Sequence, residues 1–205
     1  MSLIQSCVLE ITNESISNEK PTLDEFFKYL RTSTEARANW QSIMDEDPEE
    51  YGIDDSNFDY KNKKIEQFYI DNPESIENIK NNHVKPIYKS TISEVEQSDY
   101  IYRGIDVIHP ETLKTLGKFW TTDVKRARVY AVGARDVKSF YVLKAKMPAT
   151  INWMATMAAR CDATPYAEES EVQLNKGTFV DVVEYWQENT GKNRKVISFS
   201  KTMKV

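Results

Sequence analysis

Between Tyr166 and Leu174 the chain reads Tyr-Ala-Glu-Glu-Ser-Glu-Val-Gln-Leu, a stretch whose residue types and spacing could do chemistry. Successive side chains of a β-strand point to opposite faces. A strand beginning at or just before Glu169 would therefore set Glu169, Glu171 and Gln173 on one side and Ser170, Val172 and Leu174 on the other. Two carboxylates that close raise each other's cost of ionisation. Such a pair is either left in water or put to use, and a polar strand face is a suitable wall for an active-site cleft. Asn175-Lys176-Gly177 then reads as a turn and Thr178 to Tyr185 as a second strand, which predicts a β-hairpin.

Two more stretches carry polar groups in places where a strand must hold them. Arg103 lies between Tyr102 and Gly104, inside Tyr100 to Val107, a β-branched and aromatic run that reads as a strand. Arginine is seldom buried unless paired, so Arg103 either meets an anion or lies on an edge facing water. Further on, Lys118 to Thr121 reads as a short strand. Thr122 or Asp123 then caps a helix in which Val124, Ala127, Arg128 and Ala131 share a face and which Gly133 stops.

The elements that must position these residues begin with a helical first third. Thr22 and Glu25 form a capping box after Pro21, and Phe26, Phe27 and Leu30 fall on one helical face. Thr32 and Glu35 repeat the box, with Ala36, Trp40 and Ile43 continuing the stripe. Asp45 to Asp55 is rich in carboxylates but lacks calcium-loop spacing, so it reads as a solvated loop. Ile65, Phe68 and Tyr69 suggest a short helix, and Asn72 caps another with Pro73 first and Ile76 and Ile79 facing inward. The character changes near Ser98. Pro110 to Gly117 gives a helical turn, Ser139 to Met147 alternates as a half-buried strand, and Ala149 to Pro165 is irregular. Glu188 to Asn193 is a polar turn before a closing strand, Val196 to Met203. Strands do not alternate with long helices, so the fold class is α+β and not a parallel doubly wound sheet. The organisation predicted is a helical region over residues 1–97 and a strand-rich core over 98–205.

Composition narrows the function classes. The 205 residues are 40% hydrophobic, enough for a core, and the net charge of −5 speaks against a nucleic-acid partner held by its phosphates. Cys7 and Cys161 make no disulfide framework and suit a reducing cytosol. The N-terminus is a poor signal peptide, and no apolar run reaches the roughly 18 residues that suggest a membrane span. His83 and His109 have no second ligand at metal spacing, so no metal and no histidine-based triad is expected. Glycine-rich phosphate loops are absent.

Taken in order, Tyr102-Arg103-Gly104, Phe119-Trp120-Thr121-Thr122-Asp123 and Glu169-Ser170-Glu171 resemble the Arg/Ser-Thr-Ser/Glu-x-Glu signature of mono-ADP-ribosyltransferases. That group includes bacterial toxins that modify arginine or actin and small transferases that tailed phages send into their hosts. The resemblance covers residues 98–205 and takes nothing from the first third. It implies a core of two packed small sheets, mixed or antiparallel. It also implies NAD as co-substrate, transfer of ADP-ribose to a protein acceptor, and release of nicotinamide. The expected setting is the cytoplasm, that of a bacterial host if the chain is phage-encoded.

Carried over residue by residue, the resemblance gives each position a role. Arg103 would hold an NAD phosphate and brace the cleft floor, as a forked guanidinium can. Thr121 stands in place of the first serine and would orient the catalytic carboxylate, while Thr122 supports the strand. Asp123 departs from the pattern and is assigned to capping the next helix. Glu171 aligns with the catalytic glutamate, where a fixed carboxylate would stabilise the oxocarbenium ion formed as nicotinamide leaves. Glu169 aligns with the upstream acid that accompanies arginine as acceptor, and would orient and deprotonate the incoming guanidine. Tyr166 matches a target-recognition aromatic. Tyr102, Trp120 and Trp153 offer aromatic walls, and Arg135 and Arg160 further cations. Two alternatives share this frame: an NAD glycohydrolase, in which water replaces the acceptor, and a non-catalytic binding module.

Overall fold

The computed structural model describes residues 19–36, 39–40, 71, 73–105, 109–132, 139–161, 170–189 and 192–205. Asn72, Ile43, Asp45 to Asp55, the Ile65 to Tyr69 segment and Gly133 lie outside them.

Helix α1, Leu23–Thr32, starts on the capping box expected of it. The Thr22 amide donates to Glu25 Oε2 at 2.7 Å, and Thr22 Oγ1 accepts from the Glu25 amide at 3.3 Å. Phe26 and Leu30 are fully buried. The second box does not form. Thr32 spends its hydroxyl on Lys28 O at 2.8 Å, the helix ends at an extended Ser33, and the Glu35 amide turns to Ser33 Oγ at 3.1 Å.

Helix α2, Pro73–Ile79, runs through a π turn, Lys80–Val84, into helix α3, Lys85–Gln97. Pro86 has no N–H to give the preceding turn, and the wider turn falls directly before it. Helix α3 carries no strong apolar stripe, which is why periodicity does not reveal it. It buries Thr91 and Val95. Helix α5, Trp153–Ala159, lies within the stretch expected to be irregular, capped by Asn152 Oδ1 accepting from the Ala155 amide at 3.0 Å. Phe26, Phe27, Leu30, Ala36, Ile79 and Val84 share one core with Met157, Ala158 and Cys161 of α5 and its end. The chain passes from helix to strand between Gln97 and Tyr100, and the helical core takes residues from both sides of that point.

Strands β1 (Tyr100–Ile105), β2 (Phe119–Thr121), β3 (Ser139–Lys146), β4 (Glu171–Gln173), β5 (Phe179–Asn189) and β6 (Lys192–Lys204) form one sheet in the order β4-β2-β1-β3-β5-β6. Every adjacent pair is antiparallel. The fold is thus α+β, but among the described residues a single sheet stands where two packed sheets were expected. It curls until its flanks meet. Thr115 bridges Lys204, Leu116 N donates to Lys204 O at 2.9 Å, and Gly177 N donates to Val205 O at 2.7 Å. Ladder irregularities at Lys144/Ala145 and Val182/Glu184 fall within the curl. Residues of all six strands enclose a second core, among them Ile101, Trp120, Leu143, Val172, Val182 and Met203.

The hairpin expected around Gly177 is also corrected. Gly177 does sit in a turn, at φ 94° where glycine is favoured. The strands it joins are far apart in the sheet: β4 pairs with β2, and β5 with β3 and β6. The hairpin of this region is β5 with β6, across the polar turn. Helix α4, Val124–Val132, covers the other face of the sheet. Ala127 and Ala131 are fully buried there with Phe140, Val142 and Trp186, while Arg128, expected on the same face, is exposed. Strand β3 is consequently covered on both faces, not half-buried along its length: Phe140, Val142, Leu143 and Ala145 are all buried. Among the described residues no helix is long and apolar enough to cross a membrane.

Candidate active site

The sheet order brings the three separated sequence pieces side by side. β1, β2 and β4 are neighbours, and Tyr102 is in register with Thr121, which is in register with Glu171. Directly opposed residues of an antiparallel pair have their Cβ atoms about 5 Å apart. A cleft of about 370 Å³ opens between these strands and α4, within the range of small-ligand sites. Arg103, Thr121 and Glu171 line it, with Tyr102, Trp120, Phe119 and Tyr130.

Arg103 is partly buried, and burial lowers its affinity for its proton. Its Nη1 donates to Phe119 O, and a Cβ at Gly117 would come 2.5 Å from its Nη2. The absence of a side chain at Gly117 therefore makes the groove in which the guanidinium lies. Among the described residues Arg103 makes no ion pair with a carboxylate, and its guanidinium lines the cleft.

Glu171 opens strand β4 and is half-buried. Burial pushes its carboxyl above the usual carboxylate range, against the pull of the Gln173 amide and the charges of Lys118 and Arg160. Gln173 Nε2 donates to Glu171 Oε1 at 2.7 Å. Thr121 is 3% exposed, and its Oγ1 accepts from the Asp123 amide at 3.0 Å. Asp123 does cap α4, with Oδ1 accepting from the Lys125 amide at 2.7 Å.

The strand does not begin where alternation suggested. Ser170 has φ 50°, in the left-handed region, and β4 starts only at Glu171. Alternation of faces cannot be carried back through Ser170, so strand geometry does not place Glu169 on the face of Glu171. Glu169, Tyr166 and Arg135 lie outside the described residues. A left-handed non-glycine residue next to a cleft carboxylate is held by its surroundings. Here Thr122 N donates to Ser170 O at 3.1 Å, and Thr122 Oγ1 reaches Ser170 O at 3.3 Å and Glu94 Oε1. Thr122 therefore ties the strand from behind and is not in the cleft lining.

β4 is short and lies at the sheet edge, yet its outer side is not left open. Asn152 N donates to Gln173 O at 2.8 Å, and Gln173 N donates to Thr156 Oγ1 at 2.9 Å, so the first turn of α5 covers it. Trp120, 2% exposed, donates Nε1 to Gly117 O at 3.0 Å and gives the cleft a firm side. Trp153 packs between the two cores and is not among the cleft residues. Arg160 is no exposed cation. It is buried and paired with Glu94 at 2.7 Å.

Sequence reasoning missed Glu94, Lys118, Phe119 and Tyr130 as cleft neighbours. Phe119 and Tyr130 are about half exposed at the cleft, as apolar groups awaiting a flat partner would be. Their signal was available: Phe119 precedes the strand's buried Trp120, and Tyr130 follows Ala127 by three positions on one helix. Chemically the cleft joins a guanidinium that has no carboxylate partner among the described residues, aromatic surface and one carboxylate under opposing influences. That set can hold an anion at one end and stabilise developing positive charge at the other. Comparison with protein-family models, with curated proteins and with solved structures finds no match for this chain.

Proposed function

We propose that the cleft binds NAD and transfers its ADP-ribose to a protein acceptor, with an arginine side chain as the group modified. The observation that carries this reading is the convergence of Arg103, Thr121 and Glu171 in one cleft, from three strands far apart in sequence and adjacent in the sheet. Arg103 engages a phosphate oxygen of the dinucleotide. Phe119 and Tyr130 flank a flat ring. The bond from ribose C1′ to the nicotinamide nitrogen breaks, its electron pair leaves with nicotinamide, and the Glu171 carboxylate stabilises the oxocarbenium ion. A guanidine nitrogen of the acceptor then bonds to C1′ and gives up a proton to a base. Glu169 is the base that the resemblance to arginine-directed transferases suggests. Under this reading the protein works in the cytoplasm, that of a bacterial host if it is phage-encoded.

The test is incubation of wild type and Glu171→Gln with tagged NAD and a bacterial lysate, following both label and free nicotinamide. The reading expects label on discrete proteins, lost in the variant and removed by chemistry selective for arginine adducts. Nicotinamide without label would replace it with NAD hydrolysis. Neither product, together with no NAD binding by calorimetry, would leave a binding module.

A further inference from the structure

Next to the cleft lining, α3, the end of α5, the start of β4 and the corner between β2 and α4 meet at one ion pair. Arg160, which ends α5 and is 8% exposed, places Nη1 2.7 Å from Glu94 Oε2 and Nη2 3.4 Å from Glu94 Oε1, a two-pronged contact with α3. Its third donor, Nε, reaches Glu171 O at 3.2 Å. Glu94 in turn accepts from Thr122 Oγ1, and the Thr122 amide donates to Ser170 O at 3.1 Å. The pair thus touches the residue after Thr121, the left-handed Ser170, and the backbone of Glu171.

From these contacts we propose that Glu94 and Arg160 are positioning residues, which fix the Thr121–Thr122 and Ser170–Glu171 corners together and so set the Glu171 carboxylate in the cleft. The proposal rests on Glu171 being the catalytic carboxylate. Neither residue needs to touch substrate. A buried arginine with each of its three nitrogens engaged holds two chain segments in one arrangement, where a water-filled gap would let each move. Burial pushes Glu94 up, yet the Thr122 hydroxyl and the Arg160 charge hold it below the usual range, so Glu94 is ionised at neutral pH. Among the described residues the charged groups around Glu171 are Lys118 from before β2, Arg160 from the end of α5 and, through Arg160, Glu94 of α3, with Gln173 as its amide neighbour and Arg103 in the same cleft.

A passive structural tie and a positioning pair differ in what they do to Glu171, which can be read by ¹³C NMR of its carboxyl without any catalysis. Arg160→Met removes a cation and should move the Glu171 titration upward in pH. Glu94→Gln unmasks that cation and should move it downward. Both should lower the catalytic rate, Arg160→Met on the order of 100-fold with the KM for NAD changed by less than about threefold. Arg160→Lys should keep the titration near wild type and recover part of the rate. Folded variants whose Glu171 titration and rate match wild type would overturn the proposal. If Arg160→Met fails to fold, the downward shift in Glu94→Gln decides it, and no shift there overturns it. Should Glu171→Gln keep full transfer activity, the catalytic reading of Glu171 fails instead, whatever the titrations show.

Discussion

The two walls of the cleft are held by opposite means. On the α4 side, contact is steric and apolar. A Cβ at Gly104 would overlap Ala127 O and come 2.8 Å from Ala131 Cβ, so helix and strand touch backbone to backbone. On the β4 side, a strand of three residues is held by hydrogen bonds to α5, to Thr122 and to an ion pair. The difference teaches where precision is needed. A close-packed wall fails in stability when disturbed, because volume has nowhere to go. A polar wall fails in geometry and charge, because its partners are few and directional.

The sharpest break of that contrast is at Glu171. Glu171→Gln keeps shape and removes charge, so nicotinamide release should fall by about 100-fold or more while the unfolding free energy moves by less than about 1 kcal/mol. Steady-state kinetics and urea unfolding on the same preparation check both halves. In the wild type, catalysis should also fall as pH drops through the raised titration of Glu171, since only the ionised form serves. A pH–rate profile should show that acid limb above the usual carboxylate range.

On the apolar wall the effect should be reversed in kind. Gly104→Val should cost about 3 kcal/mol of stability, or prevent folding, through overlap with α4. Met157→Ala, in the helical core away from the cleft, should cost about 3 kcal/mol and leave the KM for NAD unchanged. Chemical denaturation measures both. If Met157→Ala altered KM as much as stability, the two regions would not be separable in the way described.

Gly117 joins the two behaviours and should give a smaller effect. A Cβ there presses on the end of the Arg103 side chain and not on backbone. Gly117→Ala should therefore raise the KM for NAD about tenfold with little change in stability, read by initial rates against NAD concentration.

The smallest effect lies at Tyr185, which is outside the cleft lining. Tyr185 is buried and donates to Glu111 Oε1 at 3.0 Å, and its hydroxyl is pushed up to about 12 by burial first and the Glu111 carboxylate second. A raised folded value means stability is intact below the unfolded titration near 10 and is lost as pH rises from there toward 12. Alkaline unfolding followed by circular dichroism should show that loss, and Tyr185→Phe should flatten it.

What could be read from the sequence depended on whether the determining contact was local. The Thr22–Glu25 box, the strand beginning at Tyr100 and the Asp123 cap are decided within four residues or by composition, and each was legible. Arg103 stood out as a charge inside an apolar run and Glu171 as one of two alternating carboxylates, while Thr121 came only from the resemblance; that the three line one cleft depends on the sheet order. The hairpin at Gly177 failed for the complementary reason. Asn-Lys-Gly specifies a turn, but nothing local says which strand β5 pairs with after it. The Thr32 box failed because one hydroxyl can serve only one capping arrangement, and Lys28 O was nearer to hand. Helix α3 and the Glu94–Arg160 pair, 66 residues apart, left no local signal at all. The strand start at Glu171 was hidden by Ser170, a residue whose type gives no sign of its left-handed φ and whose carbonyl accepts from the distant Thr122 amide.

The claim on which everything else depends is that Arg103, Thr121 and Glu171 make one NAD cleft. Calorimetric titration of NAD into wild type, Arg103→Met and Glu171→Gln, with nicotinamide release measured on the same samples, tests it most directly. The account predicts binding and release in wild type, binding without release in Glu171→Gln, and weakened binding in Arg103→Met. Nicotinamide release at the wild-type rate by Glu171→Gln, or NAD binding that Arg103→Met leaves untouched, would contradict it.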